Sequence, residues 1–290
     1  TEGDIDASLI VGAPSGIRPA LAAAIAENAT TSQVVYIVSS SREAEETVNA
    51  LRSWYSGSPS DIAQLEAWET LPHERLSPRA DTVASRMAVF RRLRHPDPAN
   101  PMFGPIRILV QPVVAGLGDV EPLVFVKGEE LPLDEAVERL VRNAYTRVEL
   151  VMNRGEFAVR GGILDVFPPT YPHPVRIEFF GDEIDEIREF HASDQRTYGD
   201  GIGTIWATPC RELQLTDEVR ARAKSLIGSI PNAEDMLESI ANAIPVEGME
   251  SLMPALVTDM EPVAGMLDKR AVIMLNDPEK LRRAATDLMK

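Results

Sequence analysis

Thiols are nearly missing from this sequence: Cys210 is the one cysteine in 290 residues. A disulfide framework within the chain is thereby excluded, and such cysteine usage suits a reducing cytoplasm. Cations are also scarce. Lys and Arg number 29 against 45 Asp and Glu, for a formal net charge of −16. That balance excludes a surface basic all over that grips DNA nonspecifically, because phosphate binding needs clustered cations. A local basic site between Arg86 and Arg94 stays compatible with it. No apolar run approaches the ~20 residues that cross a bilayer, so no membrane-spanning helix is expected. The four histidines, His73, His95, His173 and His191, are far apart and follow no H-x-x-x-H spacing. With no C-x-x-C either, no metal site is expected. No G-x-S-x-G elbow or comparable nucleophile signature appears, and no catalytic residue is nominated. The chain opens on Thr1-Glu2-Gly3, without an initiator Met or a signal-peptide pattern, and closes inside a helical pattern. A piece of a longer protein is therefore expected.

What is present is a globular composition, 44% hydrophobic with 22 scattered prolines. The first part alternates strand and helix patterns. Ser8–Ala13 reads as a buried strand, Ala20–Glu27 as an alanine-rich helix, and Gln33–Val38 as a β-branched strand. Ser40-Ser41-Arg42-Glu43 has capping-box spacing and opens a helix to about Trp54. Asp81 or Thr82 is expected to cap a third helix that runs to Leu93, with Arg86, Arg91 and Arg92 on its polar side. Ile106–Val110 is a further strand. Strands spaced by helices imply right-handed crossovers and a parallel sheet.

Past Gly116-Leu117-Gly118 the pattern changes. After a helix over Leu133–Tyr145, strand signals crowd together at Arg147–Met152, Glu156–Val159, Ile163–Phe167 and Pro174–Phe180, with short Gly/Pro-rich connections. This is antiparallel β. Helices return at Val219–Ile227 and Met236–Ala243, then a strand at Ala271–Leu275 and a last helix over Pro278–Met289. The expected fold class is α/β: a degenerate P-loop-like parallel-sheet domain interrupted by a smaller β-rich α+β domain. The expected spans are residues 1–118, the insert 119–208, and 209–290, which is helical with a strand returning to the first sheet.

The turn Gly12-Ala13-Pro14-Ser15-Gly16-Ile17-Arg18-Pro19 stands where a phosphate-binding loop belongs, between a strand pattern and a helix pattern. That loop requires G-x-x-x-x-G-K-[ST]. Counted from Gly12, Ile17 takes the second glycine position, Arg18 the lysine position and Pro19 the hydroxyl position. Proline offers neither a hydroxyl for Mg²⁺ nor an N–H. The turn is read as non-functional, and no cofactor is expected.

In Val175-Arg176-Ile177-Glu178-Phe179-Phe180, the two-residue period puts Val175, Ile177 and Phe179 on one face and Arg176, Glu178 and Phe180 on the other. If the first face is core, the second exposes an aromatic beside an arginine, the residue types enriched in interface hot spots. Phe180 packed on the inserted helix or under a loop is an equally good reading of the pattern. Arg160 stands at a strand turn before Gly161-Gly162, which permit close backbone approach.

The run Arg154 to Pro169, followed by Arg176 to Asp185, resembles the second domain shared by UvrB and the transcription-repair coupling factor (Mfd) family. Asp194-Gln195-Arg196 and Gly248 to Leu252 fit the same family. Trp68 to Leu93, with Leu71-Pro72-His73-Glu74, is similar to its high-GC Gram-positive members. UvrB carries an intact phosphate loop at the Gly12 turn, and the broken one is the coupling-factor pattern. The resemblance implies the N-terminal UvrB-homology module, laid out as domains 1a, 2 and 1b, of a large bacterial protein that removes stalled RNA polymerase and recruits UvrA for nucleotide excision repair. It implies that UvrA docks on domain 2 through Arg160, Arg176 and Phe180, with Glu178 and Arg196 in the same neighbourhood. It also implies that the C-terminal domain of the full-length protein masks this face. ATP, Mg²⁺, DNA and RNA polymerase would be served by domains outside this chain. A UvrB-like ATP-dependent DNA-binding subunit is the alternative, and a brake packed against the rest of the coupling factor a third reading.

Overall fold

The structure, a computed structural model, describes residues 9–29, 31, 33–70, 75–96, 102–107 and 113–288. In chain order the helices and strands are α1 Arg18–Asn28, β1 Gln33–Val38, α2 Ser41–Trp54, α3 Ala80–Arg94, β2 Met102–Arg107, β3 Val113–Val114 and β4 Leu123–Val126. They continue with α4 Leu133–Arg142, β5 Thr146–Arg147, β6 Glu156–Arg160, β7 Ile163–Val166, β8 Val175–Phe180, β9 Glu183–Glu189 and β10 Thr204–Ala207. The last are α5 Asp217–Leu226, α6 Glu234–Ala241, α7 Met253–Leu256, β11 Met260–Glu261, β12 Val272–Leu275 and α8 Pro278–Leu288. Internal contacts divide the chain into two compact units. One combines residues up to 64 with 96–110 and 268–290, and the other combines 65–95 with 111–267.

The first unit is α/β. Its sheet has the order β12-β1-β2, and both pairings are parallel. The period of two shows directly. Val34, Tyr36 and Val38 of β1, with Val272 and Met274 of β12, turn to one side, where they meet Ala22 and Ala23 of α1 and Ala44, Val48 and Leu51 of α2. The α2 residues follow the spacing of one helix face. Ser40 caps α2 by accepting from the Glu43 N–H at 3.2 Å. The Glu43 carboxylate reaches one residue further back than a capping box requires and accepts from Ser39 N.

Two strand expectations are corrected in this unit. Leu9–Ala13 is not a strand: Leu9 is 85% and Ile10 97% exposed. An apolar run becomes a strand when a neighbour completes its ladder, and among the described residues none pairs with it. The strand placed at Ile106 begins earlier, at Met102, and residues 108–110 lie outside the described ones.

The second unit holds the β-rich segment. Its main sheet has the order β5-β6-β7-β8-β9, parallel at β5-β6 and antiparallel thereafter. Leu164, Val166, Val175, Ile177, Ile184 and Ile187 point to one side, onto Ala136 and Leu140 of α4, with Phe125 and Ile205 from the β4-β10 pair. Val151, Ala158, Phe167 and Phe190 form a smaller cluster. The strand expected over Arg147–Met152 is confined to Thr146–Arg147. A helical part, with Val219 and Ala223 of α5, Leu237 and Ile240 of α6, and Met253 and Leu256 of α7, has its own core.

Helix α3 departs from its expected form. Its N-cap is Arg79, without a side-chain cap, and Asp81 serves inside the first turn by accepting from Thr82 N. Arg86 does not lie on a polar side. It is buried, paired with the buried carboxylate of Glu212, and its guanidinium lies over the rings of Trp68 and Phe90. Trp68 also donates Nε1–H to Glu212 at 2.8 Å. A buried charge survives only when so paired.

Candidate protein-docking face

Antiparallel register builds this face. Ala158, Asp165, Arg176 and Arg188 are successive partners across β6, β7, β8 and β9. Two residues along each strand comes the next rung, Arg160, Ile163, Glu178 and Glu186. Residues opposite one another share a face, and so do residues two apart along a strand. Both rungs therefore lie on the side opposite Val175 and Ile177. Phe180 continues this side along β8 and partners Glu183 beyond an irregularity in the β8-β9 ladder. It is 81% exposed, which decides between the two readings of the sequence pattern: among the described residues no helix or loop covers it.

The arginines divide their roles. Asp165 is 1% exposed. Its Oδ1 accepts from Arg176 Nε at 2.7 Å and its Oδ2 from Arg176 Nη2 at 2.9 Å. The same Oδ2 accepts from Arg160 Nη2 at 2.6 Å. Arg176 also lies over the Phe190 ring, 5.0 Å from its centre, and donates Nη1–H to the Gln195 carbonyl at 3.4 Å. Its side chain is only 18% exposed against 49% for Arg160. The expectation of an openly exposed Arg176 is thus corrected: the carboxylate at the register position beside it draws it down. The hydrogen bond to Asp165 holds the Arg176 guanidinium above the usual arginine pKa, against the opposing effect of burial.

Glu178 is half-buried beside Glu186, whose carboxylate is taken by Arg188 at 2.7 Å. Arg196 is exposed in the turn after β9, next to Gln195, whose backbone is left-handed at φ 62°. Gly161 turns the chain between β6 and β7 at φ +62°. At Gly162 a Cβ would stand 3.0 Å from the Phe179 carbonyl, so the glycine permits the close approach of β8. The sequence pattern gave no sign of Asp165. The signal is its place opposite Arg176, which only the β7-β8 register reveals.

The Gly12–Pro19 turn is open to solvent. Gly12 and Gly16 are exposed, and a Cβ at either would meet nothing within 4 Å. Ile17 is exposed, and Pro19 lies in the first turn of α1. Arg18 turns back on its own chain: Nε donates to the Ala13 carbonyl at 3.0 Å and Nη1 to Asn276 Oδ1 at 2.8 Å. Asn276 in turn donates to Glu43, which Lys280 also reaches at 3.2 Å. Of the arginines closing α3, Arg91 pairs with Glu121 and Arg94 with Asp119. Cys210 is buried, and burial pushes its thiol pKa up, away from reactivity. Among the described residues no group of His, Cys, Asp and Glu is placed to hold a metal ion, and no helix is long and apolar enough to cross a membrane.

Residues 123–209, which carry this whole face, match the family model of the UvrB interaction domain. The chain as a whole is 44% identical to the transcription-repair-coupling factor of Mycobacterium tuberculosis, over 96% of its own length and 23% of the relative's. The chain belongs to the transcription-repair-coupling factor family. The factor of Myxococcus xanthus is 34% identical over 78% of the chain and 20% of the relative, and that of Escherichia coli 36% over 47% and 12%. The chain thus spans about a quarter or less of the length of these coupling factors. The mycobacterial similarity agrees with the high-GC character read from the Trp68–Leu93 stretch, of which residues 71–74 lie outside the described ones.

Proposed function

We propose that this chain is the UvrA-docking module of a bacterial transcription-repair coupling factor and acts in transcription-coupled nucleotide excision repair in the cytoplasm. The observation that carries the reading is Phe180. A large apolar side chain stands open to solvent at the end of β8, on the sheet face that carries Arg176 of the same strand and Arg160 of β6, within the segment that matches the UvrB interaction domain. Single exposed apolar residues are common. An exposed phenylalanine on the same sheet face as the half-exposed Arg160 has the composition of a hot spot. Arg160 and Phe180 are the contacts, with Glu178 and Arg196 at the rim.

The module is non-catalytic on this reading and takes no nucleotide. Arg18 is engaged by Ala13 and Asn276, and Ile17, Arg18 and Pro19 stand at the positions where the phosphate loop requires glycine, lysine and a hydroxyl. ATP, Mg²⁺, DNA and RNA polymerase belong to further domains of a full-length factor, and its C-terminal domain covers the docking face until it is needed. The test is equilibrium binding of purified UvrA to this chain. Phe180→Ala is expected to weaken binding ~30-fold or more, as loss of a central aromatic costs at least ~2 kcal/mol, with an unchanged melting temperature. Full affinity in the variant overturns the reading.

A further inference from the structure

We infer that Asp165 is the positioning residue of the docking face: one buried carboxylate that sets the posture of Arg160, with Arg176 as the strut that holds it. The inference rests on the UvrA reading above. Three N–H donors from two guanidiniums converge on this one carboxylate. Arg176 grips it through both oxygens, a fork that matches carboxylate geometry. The same guanidinium is stacked on Phe190 and tied to the Gln195 carbonyl, so its own position is fixed from three sides. The carboxylate is therefore anchored. Asp165 and Arg176 are partners in the β7-β8 register, so the fork closes across neighbouring strands.

Arg160 stands in a different relation to it. It lies on β6 at the turn, gives Asp165 a single Nη2–H, and keeps half its side chain in solvent. Its remaining donors are left for a partner. A free arginine on a strand end samples many rotamers, and a partner must freeze them on binding. One anchored hydrogen bond at the guanidinium removes most of that freedom beforehand, which is preorganisation. An asparagine in place of Asp165 has one acceptor oxygen and no charge, so it cannot serve the fork and Arg160 together.

The experiment is a double-mutant cycle in UvrA affinity on the full 290-residue chain, with Asp165→Asn and Arg160→Ala singly and together. Asp165→Asn is expected to weaken UvrA binding about 3- to 10-fold in the wild-type background. In the Arg160→Ala background it is expected to cost less than about 2-fold, because the side chain it positions is gone. Equal losses in both backgrounds, or no loss in the wild type, overturn the inference while leaving the UvrA reading intact. If Asp165→Asn does not fold, the same cycle is run with Asp165→Glu, which keeps the charge and displaces it by one methylene. Failure of both variants to fold makes Asp165 a residue of the fold alone and overturns its positioning role. Absence of UvrA binding by the wild-type chain overturns the docking function and this inference with it.

Discussion

Arg176 and Phe180 lie on one face of one strand with Glu178 between them, yet they respond to different forces. Phe180 contributes little to the fold because its surroundings are mostly water. Arg176 neutralises a carboxylate that is 1% exposed. Truncating one member of a buried pair costs ~3–5 kcal/mol, because the other charge is stranded. Arg160 still reaches Asp165, so Arg176→Ala is expected at the lower end, about 3 kcal/mol. The midpoint of urea unfolding should fall accordingly, and a midpoint equal to that of the wild type would refute the strut. Loss of UvrA binding in Arg176→Ala is therefore ambiguous between contact and scaffold, whereas Phe180→Ala and Arg160→Ala report on the contact.

At the scale of elements, what was legible in the sequence was local. β1 and α2 are visible because their burial follows one period without interruption: Val34, Tyr36, Val38 on the strand and Ala44, Val48, Leu51 on the helix. β8 is visible for the same reason. β9 is not, because the irregularity against β8 brings Ile177 opposite Ile187 but Phe179 opposite Ile184. Its two buried isoleucines are three apart, and strict alternation fails. The remaining misses are non-local. Arg86 looks like the polar side of a helix until Glu212, 126 positions later, is brought to it. Leu9–Ala13 looks like a strand because nothing in the run itself reveals that, among the described residues, no neighbour pairs with it. Asp165 needed the hairpin register. The Gly248 to Leu252 segment, noted only as a motif, is another such case. Gly248 has φ +78° and a Cβ there would collide with the Arg75 carbonyl, while its N–H donates to Ser77 Oγ at 2.8 Å. Gly248→Ala meets backbone on both counts, left-handed strain and collision. It is expected to lower stability by about 2–4 kcal/mol in chemical denaturation. A loss within the ±0.5 kcal/mol of an ordinary surface change would show that the Arg75 turn moves freely.

For the whole molecule, the excess of acid and the fate of the arginines point the same way. The net charge is −16, Arg86 is buried in an ion pair, and Arg91 and Arg94 are answered by Glu121 and Asp119. A basic groove along α3 is not what these residues make. With Arg18 likewise engaged, titration of the chain with Mg-ATP in a calorimeter is expected to give no binding in the micromolar range. A micromolar dissociation constant, about −8 kcal/mol, would restore the UvrB-like reading.

The parallel sheet of the first unit joins β1, near the start of the chain, to β12, which lies beyond the entire second unit. During synthesis this order imposes a delay. β1 leaves the ribosome more than 230 residues before the strand that completes its edge. At the ~5–20 residues per second of bacterial-type elongation, its β-branched edge waits about 12–46 s for its partner. The segment that carries the docking face, residues 123–209, leaves the ribosome more than 60 residues before β12 begins and is free to fold in that interval. The docking face is therefore finished first, and the part of the chain exposed longest to wrong pairings and chaperones is the parallel sheet.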